Sequence, residues 1–352
     1  MIDFIRTPLI VTVIRRIAFA PVLLCTACAF DSYATSNTTF EEIFTKVRAV
    51  ELEERDPDPL IGIRDLDILP DGRLLVVDRH AGRLRIFSAD GAIDTVIGRF
   101  GEGPGEFRQP NAAAVGLDGR ILVTQATPRV TLLTPDGSVE RIGTLPGWLA
   151  GDMEPLGSGF VGYISKYGWE GAILDLNGEL VDSFPLRDQL VREIPYWISF
   201  VSDRVAVARD HIIGNSSFFP TLKVFNANGD YIREFGEPPP SWVEPIRPER
   251  GAFMGPDAME QARDWLGAFT VVTELNVLDD SLVLVQYGRH EPNVNDMHYR
   301  VPTRLDVYHF SGVKIYEDLM LTKRMLAADS LLYVLEAMPP EPWTVGVYRP
   351  RF

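Results

Sequence analysis

Short apolar runs, each introduced by a turn signal, recur along the chain from about residue 69 onward. The clearest pair is Leu69–Val76 and Gly116–Val123, in which an Asp-Gly turn leads directly into a run of aliphatic residues. A turn pair followed by such a run is typical of a β-strand. We assign six strands of this type as the second strand of a repeat: Arg73–Asp78, Arg120–Gln125, Gly159–Ile164, Arg204–Arg209, Ser281–Gln286 and Leu331–Glu336.

A third apolar run follows each of these strands, and in five cases a glycine turn and a fourth run come next. The turns are Asp90-Gly91, Asp136-Gly137, Asn177-Gly178, Asn228-Gly229 and Ser311-Gly312. Asn-Gly or Asp-Gly between apolar runs predicts a hairpin, because both residues tolerate a positive φ angle. The sixth third strand, Thr344–Tyr348, lies at the end of the sequence. Val47–Glu54, near the other end, can supply the fourth strand that it lacks.

Repeats of this kind predict one closed architecture. The sequence predicts an all-β fold, a six-bladed β-propeller of four-stranded antiparallel blades, whose last blade is closed by an N-terminal strand. Closing the ring in this way leaves only short, protected strand edges. The repeat is interrupted at about 238–269, where Pro238-Pro239-Pro240 is followed by a segment with the pattern of a short helix. We interpret this segment as an insertion that covers the mouth of the central channel.

The N-terminal segment has the pattern of an export signal. Arg15-Arg16 precedes an apolar run, Ile17–Ala29, that is too short for a transmembrane helix and is followed by small residues. We therefore interpret residues 1–30 as a signal peptide or lipoprotein signal, 31–46 as a linker and 47–352 as the propeller. Cys28 is the lipidation candidate, and an uncleaved anchor is a further alternative. The expected location is periplasmic, extracellular or lipid-anchored to the cell envelope.

Charge excludes one large class of partner. The formal net charge is -15, and the sequence contains no cluster of Lys and Arg. Nucleic-acid binding needs such clusters to displace counterions from phosphates. We therefore expect no nucleic acid partner, and membrane contact only through the N-terminal lipid or anchor. The oligomeric state stays open.

One motif resembles a known family. Arg99–Pro110 carries the pattern G-x-G-x-G-x-F-x-x-P, which is similar to the linker of NHL-type six-bladed propellers. Asp118-Gly119, Val77-Asp78 and Arg83–Phe87 also resemble parts of that repeat. The resemblance implies the fold and little about function, since propellers host unrelated activities. The broader group includes exported sensor domains, protein- and RNA-binding modules, a zinc-dependent peptide-amide lyase and calcium-dependent lactonases.

The long connections are all predicted on one face of the propeller. They are Ser165–Gly171, Asp210–Pro220, Gly288–Thr303, Ala337–Trp343 and the insertion. Elaborated loops on a rigid scaffold are where binding usually occurs. Candidate binding residues on this face are His80, Tyr167, Trp169, His211, Trp242, Trp265, Arg289, His290 and Trp343. The alternative is that the aromatic residues pack against one another as a small core beneath the insertion.

Polar residues on the innermost strands are candidates to line the central channel. They are Arg64, Asp65, Asn111, Asp152, Glu274 and Asn276. Carboxylate and amide oxygens are the ligands that calcium prefers. His80, His211 and His290 follow second strands in different blades, so we expect them to be too far apart to share one zinc ion.

Two functional interpretations follow. The first is an exported, non-catalytic propeller that binds a protein, peptide or glycan through its elaborated face, with no cofactor. The alternative is a metal-dependent hydrolase or lyase, lactonase-like or peptide-amide-lyase-like, with calcium or zinc at the channel mouth. The sequence contains no G-x-S-x-G, H-E-x-x-H or P-loop motif. It therefore names no catalytic residue and no metal ligand set.

Overall fold

Six four-stranded sheets arranged as blades make up the described part of the chain. A computed structural model describes residues 38–165, 170–186, 203–249, 252–289 and 303–352. The proposed signal segment, with Cys28, lies outside these residues. Every pairing within a blade is antiparallel, which confirms the predicted fold class. No helix among the described residues is long and apolar enough to cross a membrane.

The first three blades follow one another along the chain. Blade one contains β2 (Asp65–Ile68), β3 (Leu74–Asp78), β4 (Arg83–Phe87) and β5 (Ile93–Ile97). Blade two contains β6 (Pro110–Val115), β7 (Ile121–Gln125), β8 (Thr127–Leu133) and β9 (Val139–Thr144). Blade three contains β10 (Trp148–Leu156), β11 (Gly159–Ser165), β12 (Glu170–Leu174) and β13 (Leu180–Pro185).

The remaining blades include the strand nearest the N-terminus. Blade four contains β14 (Arg204–Ala208), β15 (His211–Asn215), β16 (Leu222–Asn226) and β17 (Tyr231–Phe235). Blade five contains β18 (Thr270–Leu278), β19 (Leu282–Arg289), β20 (Thr303–His309) and β21 (Lys314–Leu321). Blade six contains β22 (Arg324–Ala328), β23 (Leu332–Ala337), β24 (Thr344–Pro350) and β1 (Phe44–Glu51).

Closure by the N-terminal strand is confirmed. β1 pairs with β24 in antiparallel register from Phe44 opposite Pro350 to Glu51 opposite Thr344. It begins three residues earlier than the predicted strand, Val47–Glu54. Phe44 is buried between blades five and six, together with Phe40 from the preceding short helix α1 (Phe40–Ile43). Apolar packing therefore fixes the N-terminal strand in addition to its backbone hydrogen bonds.

Blade four corrects one strand assignment. The sequence predicted Arg204–Arg209 as a second strand, but β14 is the first strand of its sheet and β15 is the second. The turn that joins them contains no glycine, and Arg209 itself adopts a positive φ of 56°. The turn therefore carries no sequence signal, and the run from His211 to Asn215 was interpreted as a loop. In consequence His211 lies on the opposite side of the blade from the predicted position.

The order of the strands in each blade defines two faces of the propeller. The loop face carries the connections that follow second and fourth strands, and the turn face carries the tight turns that follow first and third strands. Apolar clusters fill the spaces between neighbouring blades, such as Leu74 and Val76 of blade one against Val345 and Val347 of blade six. Because β3 packs against neighbours on both sides, all five of its residues are buried.

The segment between β17 and β18 packs on the loop face of blades four and five. Its helix α2 (Ala258–Gly267) buries Ala262 and Leu266 against Phe218, which follows β15, and Phe269, which precedes β18. The ends of the segment meet, because the Thr270 backbone N–H donates to the Val243 carbonyl over 2.9 Å. The segment is therefore a looped-out excursion with its own small core.

Candidate functional site

A polar cavity lies where the innermost strands of five blades meet. Its volume is about 50 Å³, and a water molecule needs roughly 10–15 Å³ by this measure, so the cavity has room for only a few waters or one small group. The lining includes all six channel residues that the sequence suggested: Arg64, Asp65, Asn111, Asp152, Glu274 and Asn276. It also includes three charged residues that sequence reasoning missed: Asp67, Glu154 and Arg324.

Strand alternation explains why these side chains point to one place. Residues two apart on a strand lie on the same face, so Asp65 brings Asp67 with it and Asp152 brings Glu154. The same spacing relates Glu274 to Asn276 on β18. The alternation was therefore a signal that could have identified Asp67 and Glu154.

Register shifts interrupt several of the innermost strands beside the cavity. They fall between Pro110 and Ala113 in β6, Leu149 and Met153 in β10, Val272 and Glu274 in β18, and Met325 and Ala327 in β22. A bulge of this kind adds a residue to one strand and changes the direction of the side chains around it. These irregularities help to set where Asn111, Asp152 and Glu274 meet the cavity.

Asp65 and Asp67 join blade one to blade two. The Ala113 backbone N–H donates to Oδ2 of Asp65 over 3.0 Å, and the Val115 N–H donates to Oδ2 of Asp67 over 2.7 Å. The other oxygen of each carboxylate accepts the N–H of the next residue in β2. β6 is the edge strand of its sheet, and these two carboxylates accept backbone N–H groups that no neighbouring strand pairs with.

The half of the channel nearer the loop face contains paired charges. Arg324 Nε donates to Glu274 Oε1 over 2.7 Å, and its other nitrogens donate to the carbonyls of Ile63 and Arg64. Arg204, which is 2% exposed, donates to the Thr273 carbonyl and lies 3.4 Å from Asp152 Oδ1. Arginine and carboxylate charges therefore largely compensate one another in this half.

Glu154 and Asn276 face the other half of the channel, and Asp152 Oδ2 lies at its boundary. Asp152 Oδ2 is buried and has no hydrogen-bond partner among the described residues. Asn276 is 9% exposed and lines the cavity, and neither its side chain nor that of Glu154 makes a hydrogen bond within the described part of the chain. This half therefore presents acceptors whose partners the described strands do not supply.

Burial raises the pKa of four carboxyl groups that line the cavity, those of Asp65, Asp67, Asp152 and Glu154. The pKa values of Asp65 and Asp67 rise to about 6, and that of Asp152 to about 7, chiefly through burial. Burial and the neighbouring charges of Asp67, Asp152 and Asp65 raise the pKa of Glu154 well above its usual range. Protonation of the channel therefore changes near neutral pH.

The loop-face candidates fall into three groups. His80 and Arg289 are exposed at the loop-face ends of their blades, as expected. Trp242, Trp265 and Trp343 are packed: Trp265, on α2, stacks edge-on against Phe269, and the indole N–H of Trp343 donates to the Leu60 carbonyl over 3.0 Å. Tyr167, Trp169 and His290 lie outside the described residues.

Among the candidates that the structure describes, only His211 lies on the turn face. It begins β15, so it sits on the turn face, with its ring 5.4 Å from that of Phe310 in the third-to-fourth turn of blade five. The predicted equivalence of His80 and His211 is therefore wrong. Its cause is the mistaken strand order of blade four.

Exposed apolar side chains on the loop face were not identified from the sequence. They are Ile61, Phe100, Ile246, Met254, Met259 and Met338, with exposures from 41% to 75%. All six lie in links after fourth strands or, for Met338, in the loop after a second strand. Their exposure depends on what the links pack against, so hydrophobicity alone gives no signal for it.

Metal coordination was a second possibility for the channel. Within the described ranges, no group of three or more His, Cys, Asp or Glu residues is arranged to hold a metal ion. The oxygens of Asp65, a channel candidate from the sequence, and of Asp67 accept backbone N–H groups.

Comparisons with known proteins support the architecture. A family model described as a six-bladed beta-propeller, DUF5128, matches residues 26–132, and no curated protein matches the sequence. One similar solved structure is that of a Bacteroides fragilis protein described by its name as an exported protein. It is 13% identical, with 90% of this chain and 98% of that chain covered and a TM-score of 0.63.

A second similar structure is that of a member of the DUF4221 family from Bacteroides vulgatus. It is 11% identical, with 88% of this chain and 98% of that chain covered and a TM-score of 0.60. Identities this low concern the fold alone, and the NHL likeness remains a resemblance of motifs. The chain is an all-β six-bladed β-propeller, similar in fold to these two Bacteroides proteins.

Proposed function

We propose that this protein is an exported, non-catalytic binding protein that recognises a protein or peptide through its loop face. The observation that carries the proposal is the set of exposed apolar side chains on that face. A single exposed hydrophobic residue is ordinary on a soluble protein. Six large ones lie on the connections of this face, three of them within one inserted segment, and we take them as parts of one interaction surface.

The type of side chain favours a protein or peptide over a glycan. Met254 and Met259 are flexible and polarisable, which suits a surface that adapts to another polypeptide. The three described indoles on this face, those of Trp242, Trp265 and Trp343, pack against the protein itself. Glycan recognition through a stacked aromatic platform is therefore not supported by the described side chains.

Site-specific photocrosslinking in cells tests the proposal. A benzophenone amino acid replaces Met254, which is 75% exposed on the loop face, or Leu117, which is 80% exposed on the turn face. We expect Met254 to yield a discrete crosslinked species of higher mass and Leu117 to yield none. The two positions are matched in exposure and hydrophobicity, so the comparison isolates the face.

Two results would contradict the proposal. Equal crosslinking at both positions indicates random contact, and no crosslinking at Met254, Ile246 and Met338 removes the apolar surface as a binding site. Metal analysis of the purified protein addresses the alternative of a metal-dependent hydrolase or lyase. A stoichiometric metal that is released on changing Asp152 or Glu154 would favour that alternative.

A further inference from the structure

The turn-face half of the channel has the properties of a small binding site that is separate from the loop face. Three features coincide there. Asp152 Oδ2 is a buried oxygen without a hydrogen-bond partner among the described residues, Asn276 is 9% exposed and lines the cavity, and Glu154 lines the same space. Buried polar groups are normally hydrogen-bonded, so this half of the channel calls for a bound group.

The strand direction separates this half from the paired charges. Each first strand runs from the loop face to the turn face, so Glu154 lies beyond Asp152, and Asn276 lies beyond Glu274. The arginines Arg64 and Arg324 occupy the earlier positions. The corresponding later positions of blades two and six are Ala113, Ala327 and Ala328, which add no charge. Negative charge therefore exceeds positive charge toward the turn face.

We propose that this half of the channel binds a primary ammonium group. An ammonium has three N–H donors and no acceptor. Asp152 Oδ2, the Glu154 carboxylate and the Asn276 Oδ1 are three acceptors from two different blades that line one cavity. A positive charge placed among them would pair with Glu154, which forms no ion pair within the described residues, and with the free oxygen of Asp152, whose other oxygen lies 3.4 Å from Arg204. A volume of about 50 Å³ admits the ammonium head group of an amine.

A divalent cation fits this arrangement less well. Calcium takes six to eight oxygen ligands, most of them from the protein. The oxygens of Asp65 and Asp67 that lie beside the cavity already accept backbone N–H groups over 2.7–3.0 Å. Too few oxygens remain free for an all-protein calcium shell, whereas three are enough for an ammonium.

Methylammonium is the probe, because it is the smallest primary ammonium with a carbon-bound proton for detection. Binding is measured by saturation-transfer difference NMR at pH 8.5 in phosphate buffer, since Tris and similar buffers contain a primary amine. Tetramethylammonium carries the same charge without an N–H donor and serves as the ligand control. A probe of two non-hydrogen atoms binds weakly, roughly in the millimolar range.

Variants assign the signal to the site. Glu154→Gln and Asn276→Ala are expected to weaken methylammonium binding at least tenfold. Glu234→Gln, which removes the same charge from an exposed position on β17, is expected to leave it unchanged. Thermal melting of each variant verifies that it is folded. An acetylated, amidated Gly-Lys-Gly peptide, compared with its norleucine counterpart, distinguishes a free amine from a lysine side chain as the source of the ammonium.

Four results would overturn the proposal: no methylammonium signal in the wild-type protein, equal binding of tetramethylammonium, unchanged binding in Glu154→Gln, or displacement of methylammonium by millimolar calcium. The last would make the cavity a metal site. The test uses no macromolecular ligand and no loop-face residue. Its failure is therefore distinguishable from failure of the proposed binding function.

Discussion

At the scale of single residues, the acidic channel links stability to pH. Carboxyl groups with a pKa of about 6 or 7 in the folded state and near 4 when unfolded bind protons more tightly when folded. Their contribution to the free energy of unfolding is fully present below the pKa of the unfolded state and is lost as the pH rises through the pKa of the folded state. The channel therefore opposes folding most strongly above pH 7.

Glu154→Gln isolates this effect at one position. The amide keeps the shape of the side chain and cannot ionise, so the variant lacks the cost of a buried carboxylate. We expect it to be more stable than the wild type at pH 8 by about 1 kcal/mol or more, and its Tm to rise by about 2–4 °C. At pH 4.5 the two proteins should have the same Tm. Melting curves in amine-free buffer at both pH values test this, and a difference that is independent of pH would contradict it.

Gly91 shows how one residue supports ring closure. It adopts a φ of +97° in the third-to-fourth turn of blade one, and an added Cβ would lie 2.0 Å from the Glu51 carbonyl oxygen of β1. Gly72 has a similar φ of +83° but has nothing within 4 Å of the same position. Both glycines allow the positive φ that their turns require. At Gly91 the absence of a side chain also leaves room for the backbone of β1.

The pair of alanine variants separates these two demands. Gly72→Ala should lower the free energy of unfolding by about 1 kcal/mol, because alanine is strained at positive φ. Gly91→Ala should lower it clearly further, since the turn or β1 must also move. Chemical denaturation of both variants measures the difference. Equal losses would mean that the contact between blades one and six contributes nothing.

At the scale of the element, how much the sequence predicts depends on burial. Second strands such as β3 are buried on both sides, so they form continuous apolar runs, and all but one were located correctly. β14 and β15 were misassigned because Arg209 makes their turn without glycine. Polar residues on the first strands predicted six of the residues that line the channel. The exposure of Met254 and Phe100 could not be predicted in this way, because it depends on how their loops pack against the blades. No local pattern encodes that packing.

The looped-out segment before β18 should be removable. Val243 and Thr270 are hydrogen-bonded to each other, so a short Gly/Ser link can replace residues 244–268 without moving either end. We expect the shortened protein to fold with its β-sheet content intact. It should lose about 1–3 kcal/mol of stability, because Phe218 and Phe269 lose the cover of Leu266.

Circular dichroism and melting of the shortened protein provide the measurement, and Leu266→Ala in the full chain is the matched control for lost packing. None of the described residues in the segment lines the cavity, so methylammonium binding should persist. Failure to fold would show that the segment belongs to the core. Loss of methylammonium binding alone would support the interpretation, made from the sequence, that it covers the channel.

At the scale of the whole molecule, the ring separates two surfaces by their chemistry. The loop face carries apolar side chains suited to another polypeptide, while the axis is acidic and narrow. The net charge of -15 favours cationic over anionic partners near the channel. Both surfaces depend on the same closed ring, because every first strand is held in place by its own blade and by the packing of the next.

β1 completes blade six as its outer strand. A deletion of residues 38–51 would remove the outer partner of β24 from Thr344 to Pro350 and would uncover the space that Phe40, Phe44 and Val50 fill. An unpaired, apolar edge is a template for association with other chains. We therefore expect the deleted protein to aggregate or to melt at least 10 °C lower than the full chain, in line with the loss of several kcal/mol.

A peptide of residues 38–54 added to the deleted protein should restore its stability, because strand addition recreates the missing pairing. Size-exclusion chromatography and melting, with a scrambled peptide of the same composition as the control, measure the rescue. Rescue by both peptides would indicate a nonspecific effect. If the deleted protein stays monomeric and has the same Tm as the full chain, β24 does not need its outer partner β1. Packing between the blades would then be enough to hold the ring closed.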